Sequence, residues 1–265
     1  MGDKNGGIRG RPPSGFVIYE GPSLLDGSPI VAVALVGKSS NTKTGAMLQT
    51  YILRADVDPI TANRTGADVS ICGECPLRGI PRPGATSGTA AHRGCYVTLM
   101  HGPRNVYATF RRGRYPVLRG GHYARDVAAL GRARRVRLGT YGDPAAVPSY
   151  VWDALLSEAD GHTGYTHQYR NGQSSADRGT CMASVSTEAE ARESWDAGWR
   201  TFRIIADVAN LVAGREILCP ASAEAGKRTT CATCNLCGGA NIKAKSIAIV
   251  AHGAGKNHAK RSVTL

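Results

Sequence analysis

Several features are missing from this chain of 265 residues, and each absence excludes a class of protein. No apolar run approaches the ~20 residues that a membrane-spanning helix needs. Phenylalanine is scarce, at three residues, so the core is not built on large aromatics; 33 glycines point instead to tight turns and close backbone approaches. The phosphate loop G-x4-G-K-[ST] is absent, since GKSSNTKTG lacks its spacing, and neither G-x-S-x-G nor H-E-x-x-H occurs. A His-hydrophobic-His metal pair is also missing. Negative charge is thin: 20 acidic residues stand against 33 basic ones, a formal charge of +13.

That imbalance speaks of partners rather than fold and favours polyanions, nucleic acid above all. It is also localised. Between Arg104 and Arg137 lie ten arginines and one acid, Asp126; from Ala225 to Leu265 there are seven basic residues and no acid. Arg104, Arg111, Arg112, Arg114, Arg119, Arg132, Arg134 and Arg135 are the candidate phosphate contacts. Tyr107, Phe110, Tyr115 and Tyr123 are interleaved with them, which fits stacking on single-stranded bases. The competing reading is a solvated helix face. An acidic host protein is the other partner that such a charge would attract. No membrane partner is expected.

Residues 1–15 read as a disordered basic lead-in without the apolar core of a signal peptide, which places the chain in the cytoplasm. There disulfides are disfavoured, and clustered cysteines are metal ligands more often than cross-links. Eight cysteines fall into two groups. Cys219, Cys231, Cys234 and Cys237 follow C-x11-C-x2-C-x2-C, where each C-x2-C pair brings two thiolates together from one turn. Two such pairs sharing a cysteine strain a lone tetrahedral zinc and suit a [4Fe–4S] cluster better, so iron–sulfur is favoured here over zinc. Gly238-Gly239 leaves room for the chain to turn close to the sulfurs. The second group is Cys72, Cys75 and Cys95, for zinc or iron–sulfur, with Cys181 or, alternatively, His92 as fourth ligand.

The pattern of elements predicts an α/β fold. Its sheet is mostly parallel and resembles a partial or irregular barrel, with strands at the N-terminus. Residues 16–265 form one domain with metal-binding insertions at 71–95 and 219–239. Strands are expected at 16–20, 29–37, 47–55, 95–100, 134–139, 163–169, 180–185, 201–207, 215–219 and 246–252. Asp58-Pro59 opens a helix that Gly66 stops, Pro103 opens another that Gly113 closes, and a third covers 122–132. Ser149 caps a further helix, while Thr187 and Glu190 form a capping box. The segment 38–45 is a loop.

Polar residues recur at the predicted carboxyl ends of strands: His101, Tyr141, Asp143, His167, Gln168, Arg170, Ser184, Ser186, Asp207, Cys219 and His252. In parallel α/β folds that rim carries function. Asp143, His167 and His252 are the candidate catalytic set. Asp143, stiffened by Pro144, suits a base or cation ligand, although a turn-forming role explains it as well.

The strings SSNTKTGAMLQTYILRA, SICGECPLRG…GCYV, RLGTYGDPAAVP and CPASAEAG…TTCATCNLCGG resemble a family of cysteine-rich phage- and prophage-encoded proteins of unassigned function. More distantly they are similar to the mycobacteriophage gene-product-88-like group, which shares a CP…C-x2-C-x2-C tail. The resemblance covers most of residues 16–255 and implies a metal-bearing α/β fold of viral or mobile-element origin, located in the host cytoplasm. Radical-SAM partial barrels share the strand–helix pattern, but their C-x3-C-x2-C motif is absent. The expected function is a phage-type metal-cluster protein, with iron–sulfur or zinc, that engages nucleic acid and has an active site, of unassigned reaction, at the carboxyl ends of the parallel strands. The alternatives are a non-catalytic zinc-stapled nucleic-acid-binding module or a basic phage protein that binds an acidic host protein.

Overall fold

A computed structural model describes residues 12–37, 42–171, 176–253 and 255–263. The first eleven residues of the expected lead-in, and 38–41 of the expected loop, lie outside them.

Three β-rich segments open the chain: β1 (Gly15–Pro22), β2 (Pro29–Leu35) and β3 (Leu48–Arg54). They pair antiparallel in that order. Then α1 (Pro59–Thr65) starts where Asp58 accepts the N–H groups of Ile60 and Thr61, and ends at Gly66 with φ of 88°. That left-handed position favours glycine. The short α2 (Val69–Cys72), α3 (Gly102–Arg111) and α4 (Tyr123–Gly131) precede β4 (Arg135–Tyr141). After α5 (Ser149–Leu156) come β5 (Gly161–Thr163), β6 (Tyr165–Thr166) and β7 (Met182–Val185). Next are α6 (Glu188–Asp196) and β8 (Thr201–Ile205), followed by β9 (Glu216–Leu218). Then α7 (Cys231–Cys234), β10 (Ser246–Val250) and α8 (Lys256–Val263) complete the order.

The strands form two five-stranded sheets, β1-β2-β3-β4-β5 and β6-β7-β8-β10-β9. The first is mixed, because β3, β4 and β5 run parallel; the second is parallel throughout. The fold is therefore the expected α/β type, without a closed barrel. Its main core joins β1–β4 to Val106, Val127, Trp152 and Leu155 of the helices. Sheet two is held differently. Arg203 on β8 and Glu216 on β9 make a bidentate pair at 2.8 and 2.6 Å across β10, with side chains 6% and 0% exposed.

Two expected strands differ in the structure. Residues 163–169 do not form one strand, because the chain changes sheets at Gly164. Its N–H bonds Cys237 O and its carbonyl accepts Met182 N–H, while a Cβ there would lie 2.8 Å from the Cys181 sulfur. Residues 95–100 are not a strand at all. The Cys95 N–H is tied to Leu77 O, and Arg93 donates to the carbonyls of Cys95 and Val97, so their backbone groups are satisfied without a ladder. The helix at Ser149 begins one residue earlier than expected, with Pro148 at the cap.

Candidate metal centre

The four distal cysteines converge on one cavity of about 310 Å³. Both sheets line it, through Arg137 of β4, Thr163 of β5, Tyr165 of β6, Phe202 and Ile204 of β8, and Ile247 and Ile249 of β10. On β8 and β10 these are alternate residues, so they share one face of sheet two. The other face carries α6, whose Trp195 donates to Thr201 and Ser246. Where a crossover helix would ordinarily cover the second face of a parallel sheet, this chain lays the segment 219–237.

Local chemistry explains how that segment is held. Thr230 caps α7 by accepting the Thr233 N–H, and Cys231 and Cys234 then lie three residues apart on one helical face. The N–H groups of Cys231 and Ala232 bond the carbonyls of Lys43 and Thr44. Arg200 is the principal clamp. Its guanidinium donates to the carbonyls of Leu236, Gly239, Ala244 and Lys245 at 2.7–2.9 Å. Gly239, at φ of 80°, brings the backbone so close that a Cβ would meet Gly179 O at 2.4 Å.

Burial pushes Cys237 up to about 12, with Cys219, Cys231 and Cys234 adding to the rise. Burial raises Cys219 as well, and the Tyr165 hydroxyl at Cys237 and the Ala221 N–H at Cys219 offset part of the rise. Among the described residues, no three histidine, cysteine, aspartate or glutamate side chains stand close enough to hold a single metal ion. A lone zinc needs four sulfurs at about 2.3 Å; the four cysteines share the cavity lining without closing on a single ion.

The cavity is cationic. Arg137 is 7% exposed, donates to Tyr96 hydroxyl at 2.7 Å and lies over the Tyr165 ring. Burial alone would lower its pKa, but Tyr96, Tyr165, Cys231 and Cys237 outweigh that and hold its charge. Lys43 donates to His252 Nε2 at 3.4 Å, while His252 Nδ1 bonds Val250 O and its ring stacks on Tyr96. No carboxylate lines the cavity among the described residues. The buried Thr163 hydroxyl, also in the lining, has no hydrogen-bond partner there.

The structure divides the expected catalytic set. His252 is at the cavity. Asp143 and His167 meet elsewhere, beyond β4 and β6, where Asp143 Oδ2 accepts the His167 N–H at 2.8 Å and Oδ1 accepts Ala145 N–H at 3.0 Å. Burial raises the Asp143 pKa and lowers that of His167. With both oxygens engaged, Asp143 is built as a turn cap. Of the other rim residues, His101 starts α3 at the surface, Arg170 pairs with Glu193, and exposed Asp207 caps a turn.

Cys72, Cys75 and Cys95 form a second thiol group, each acting on the ionisation of another. The proposed fourth ligands are placed apart. Cys181 is fully buried with Ala145 and Ala176, where burial and then Asp143 and Asp177 raise its pKa. His92 is exposed, and its ring meets His258 edge-on at 5.1 Å.

The arginines also separate. Arg104, Arg111, Arg112, Arg114 and Arg119 are exposed along α3 and the segment after it. Arg132 pairs with Glu158, Arg134 donates to Val36 O, and Arg135 is half-buried at the start of β4. Two of the four expected stacking rings are taken up by the fold: Tyr115 is 7% exposed, and Tyr123 donates to Ile18 O at 2.6 Å. Both rings serve the core. Sequence reading missed Arg137 as a cavity cation, although a charge between the apolar Val136 and Leu138 of a strand was a signal. It missed Arg200 too, which no local pattern marks.

Comparison with protein-family models, curated proteins and solved structures finds no match for this chain. No helix among the described residues is long and apolar enough to cross a membrane.

Proposed function

We propose that this chain is a phage-type iron–sulfur protein whose distal cysteines hold a [4Fe–4S] cluster in the shared cavity. One observation carries the reading: among the described residues, four thiols line a cavity that also contains two cations and no carboxylate. A four-thiolate metal site is net negative, and a buried negative site requires compensation. Arg137 and Lys43 provide it. Tyr165 and the Ala221 N–H satisfy sulfur lone pairs, and Phe202, Ile204, Ile247 and Ile249 exclude water. When bound, such a cluster supplies one-electron redox chemistry. The exposed arginines of α3 and its following segment serve nucleic acid through phosphate contacts rather than through base stacking.

Anaerobic purification tests the cluster. The expected result is a brown protein with iron and acid-labile sulfide, both reduced in Cys231→Ala and Cys234→Ala. A colourless protein with stoichiometric zinc overturns it. The second part is tested by titrating DNA and RNA at several salt concentrations. Affinity falling steeply with salt, and falling again in Arg111→Ala/Arg112→Ala, is expected; salt-independent or absent binding overturns it.

A further inference from the structure

The shared cavity contains two polar groups that stand on strands rather than on the cysteine segment 219–237. Val136 and Leu138 of β4 are buried in the main core, so Arg137 between them projects to the opposite side, into the cavity. Thr163 of β5 is its register partner across the parallel pair and lines the same cavity. The order of sheet one thus sets a guanidinium and a hydroxyl side by side.

The chain leaves both groups short of partners. Among the described residues, the Arg137 guanidinium makes one hydrogen bond, to the Tyr96 hydroxyl at 2.7 Å. That engages a small part of the fork of donors a guanidinium presents. Thr163 is 2% exposed, and its hydroxyl has no partner among the described residues. A buried hydroxyl in that state is rare in a folded protein and calls for an oxygen or nitrogen from outside the chain. A planar N–H fork beside a hydroxyl donor is the set that carboxylate and phosphate oxygens take. Lys43 and His252, 3.4 Å apart, extend the donors, with His252 stacked on the same Tyr96.

The remaining wall has the opposite character. Phe202, Ile204, Ile247 and Ile249 offer no side-chain hydrogen bonds, and the Tyr165 ring lies 4.5 Å from that of Phe202. An inorganic ion would leave this wall uncovered, whereas an apolar body attached to the anion would cover it. The volume, about 310 Å³, is that of a small-molecule pocket.

We propose that the cavity binds a small organic anion, a carboxylate or phosphate monoester on an apolar body, with its oxygens on Arg137 and Thr163 and its body against the apolar face of sheet two. The inference goes beyond the cluster reading and does not depend on it, because strands of both sheets carry the recognition groups. Iron content tests the cluster; ligand binding tests this site.

The probes are benzoate, phenyl phosphate, benzyl alcohol and inorganic phosphate, titrated calorimetrically into the full chain as purified and after chelation. Saturable binding of benzoate or phenyl phosphate in either form is expected, and the tighter of the two identifies the anionic group. Benzyl alcohol, which lacks the charge, should bind at least about tenfold more weakly than the tighter anion, and inorganic phosphate more weakly than phenyl phosphate. Arg137→Met should abolish anion binding. Thr163→Val should weaken it by about tenfold while leaving the thermal midpoint of the free chain unchanged, since the lost hydroxyl bonds nothing there. A merely structural threonine would give the reverse. No binding of either aromatic anion in either form, benzyl alcohol binding equally well, or Thr163→Val binding like wild type overturns the proposal. If Arg137→Met does not fold, Thr163→Val decides.

Discussion

The two thiol groups are built on opposite plans. The proximal group is gripped by its own neighbourhood: Asp68, Arg78 and the Leu77 carbonyl all lie within the segment that supplies the cysteines. The distal group is gripped from far away in sequence, by Arg200, by the carbonyls of Lys43 and Thr44, and by the close approach of Gly239 to Gly179. One is a self-contained knuckle; the other is a loop pinned onto a sheet face. The difference implies that the knuckle's shape survives loss of metal, whereas the loop depends jointly on metal and scaffold.

The largest effect should come from breaking the knuckle. Arg78→Ala leaves Asp68, 3% exposed, as a buried charge without its partner. Removing one member of such a pair costs about 3–5 kcal/mol. Chemical denaturation of the metal-free protein should show the loss directly. If metal-free Arg78→Ala were as stable as wild type, the self-contained reading would be wrong. Arg200→Ala should cost less in the metal-free protein, about 2–3 kcal/mol, since some of the four freed carbonyls can find water. Its stronger signature is at the distal group: iron retention after anaerobic purification should fall in Arg200→Ala and stay unchanged in Arg78→Ala. Equal losses in both variants would erase the distinction. Gly239→Ala is the milder probe of the same pin. A positive φ and a Cβ 2.4 Å from Gly179 O predict about 1–3 kcal/mol of destabilisation, read from the shift in thermal midpoint.

The local elements were legible in the sequence because their causes are local. Asp58-Pro59 and Gly66 bracket a helix through cap chemistry within eight or nine residues, and Thr187 with Glu190 forms its box inside a single turn. That Cys231 and Cys234 share one helical turn was legible for the same reason, since C-x2-C spacing needs nothing beyond it. What was not legible was set by tertiary contact. The apolar run 95–100 has strand composition, yet Arg93 and the Leu77 carbonyl satisfy its backbone polar groups. Residues 163–169 look continuous, but Gly164 moves the chain between sheets. The arginine run reads as one basic patch, whereas Arg137 turns inward and seven others stay exposed. Charge counts along a chain carry no information about which face of a strand each residue occupies.

The smallest expected effect separates the two centres most cleanly. At the proximal group the sulfurs accept from the backbone N–H groups of Leu77 and Val97, which no side-chain substitution removes. At the distal group Cys237 accepts from the Tyr165 hydroxyl, which Tyr165→Phe deletes while keeping the ring against Phe202, 4.5 Å away, and under Arg137. The stability cost should be about 1 kcal/mol, that of one hydrogen bond. The reduction potential should respond more clearly. An O–H donor at sulfur stabilises the more negative, reduced cluster, so its removal should shift the distal midpoint to lower potential. Potentiometric titration followed by EPR reads it. A shift locates the proposed cluster beside Tyr165, whereas an unchanged midpoint would place it away from that hydroxyl.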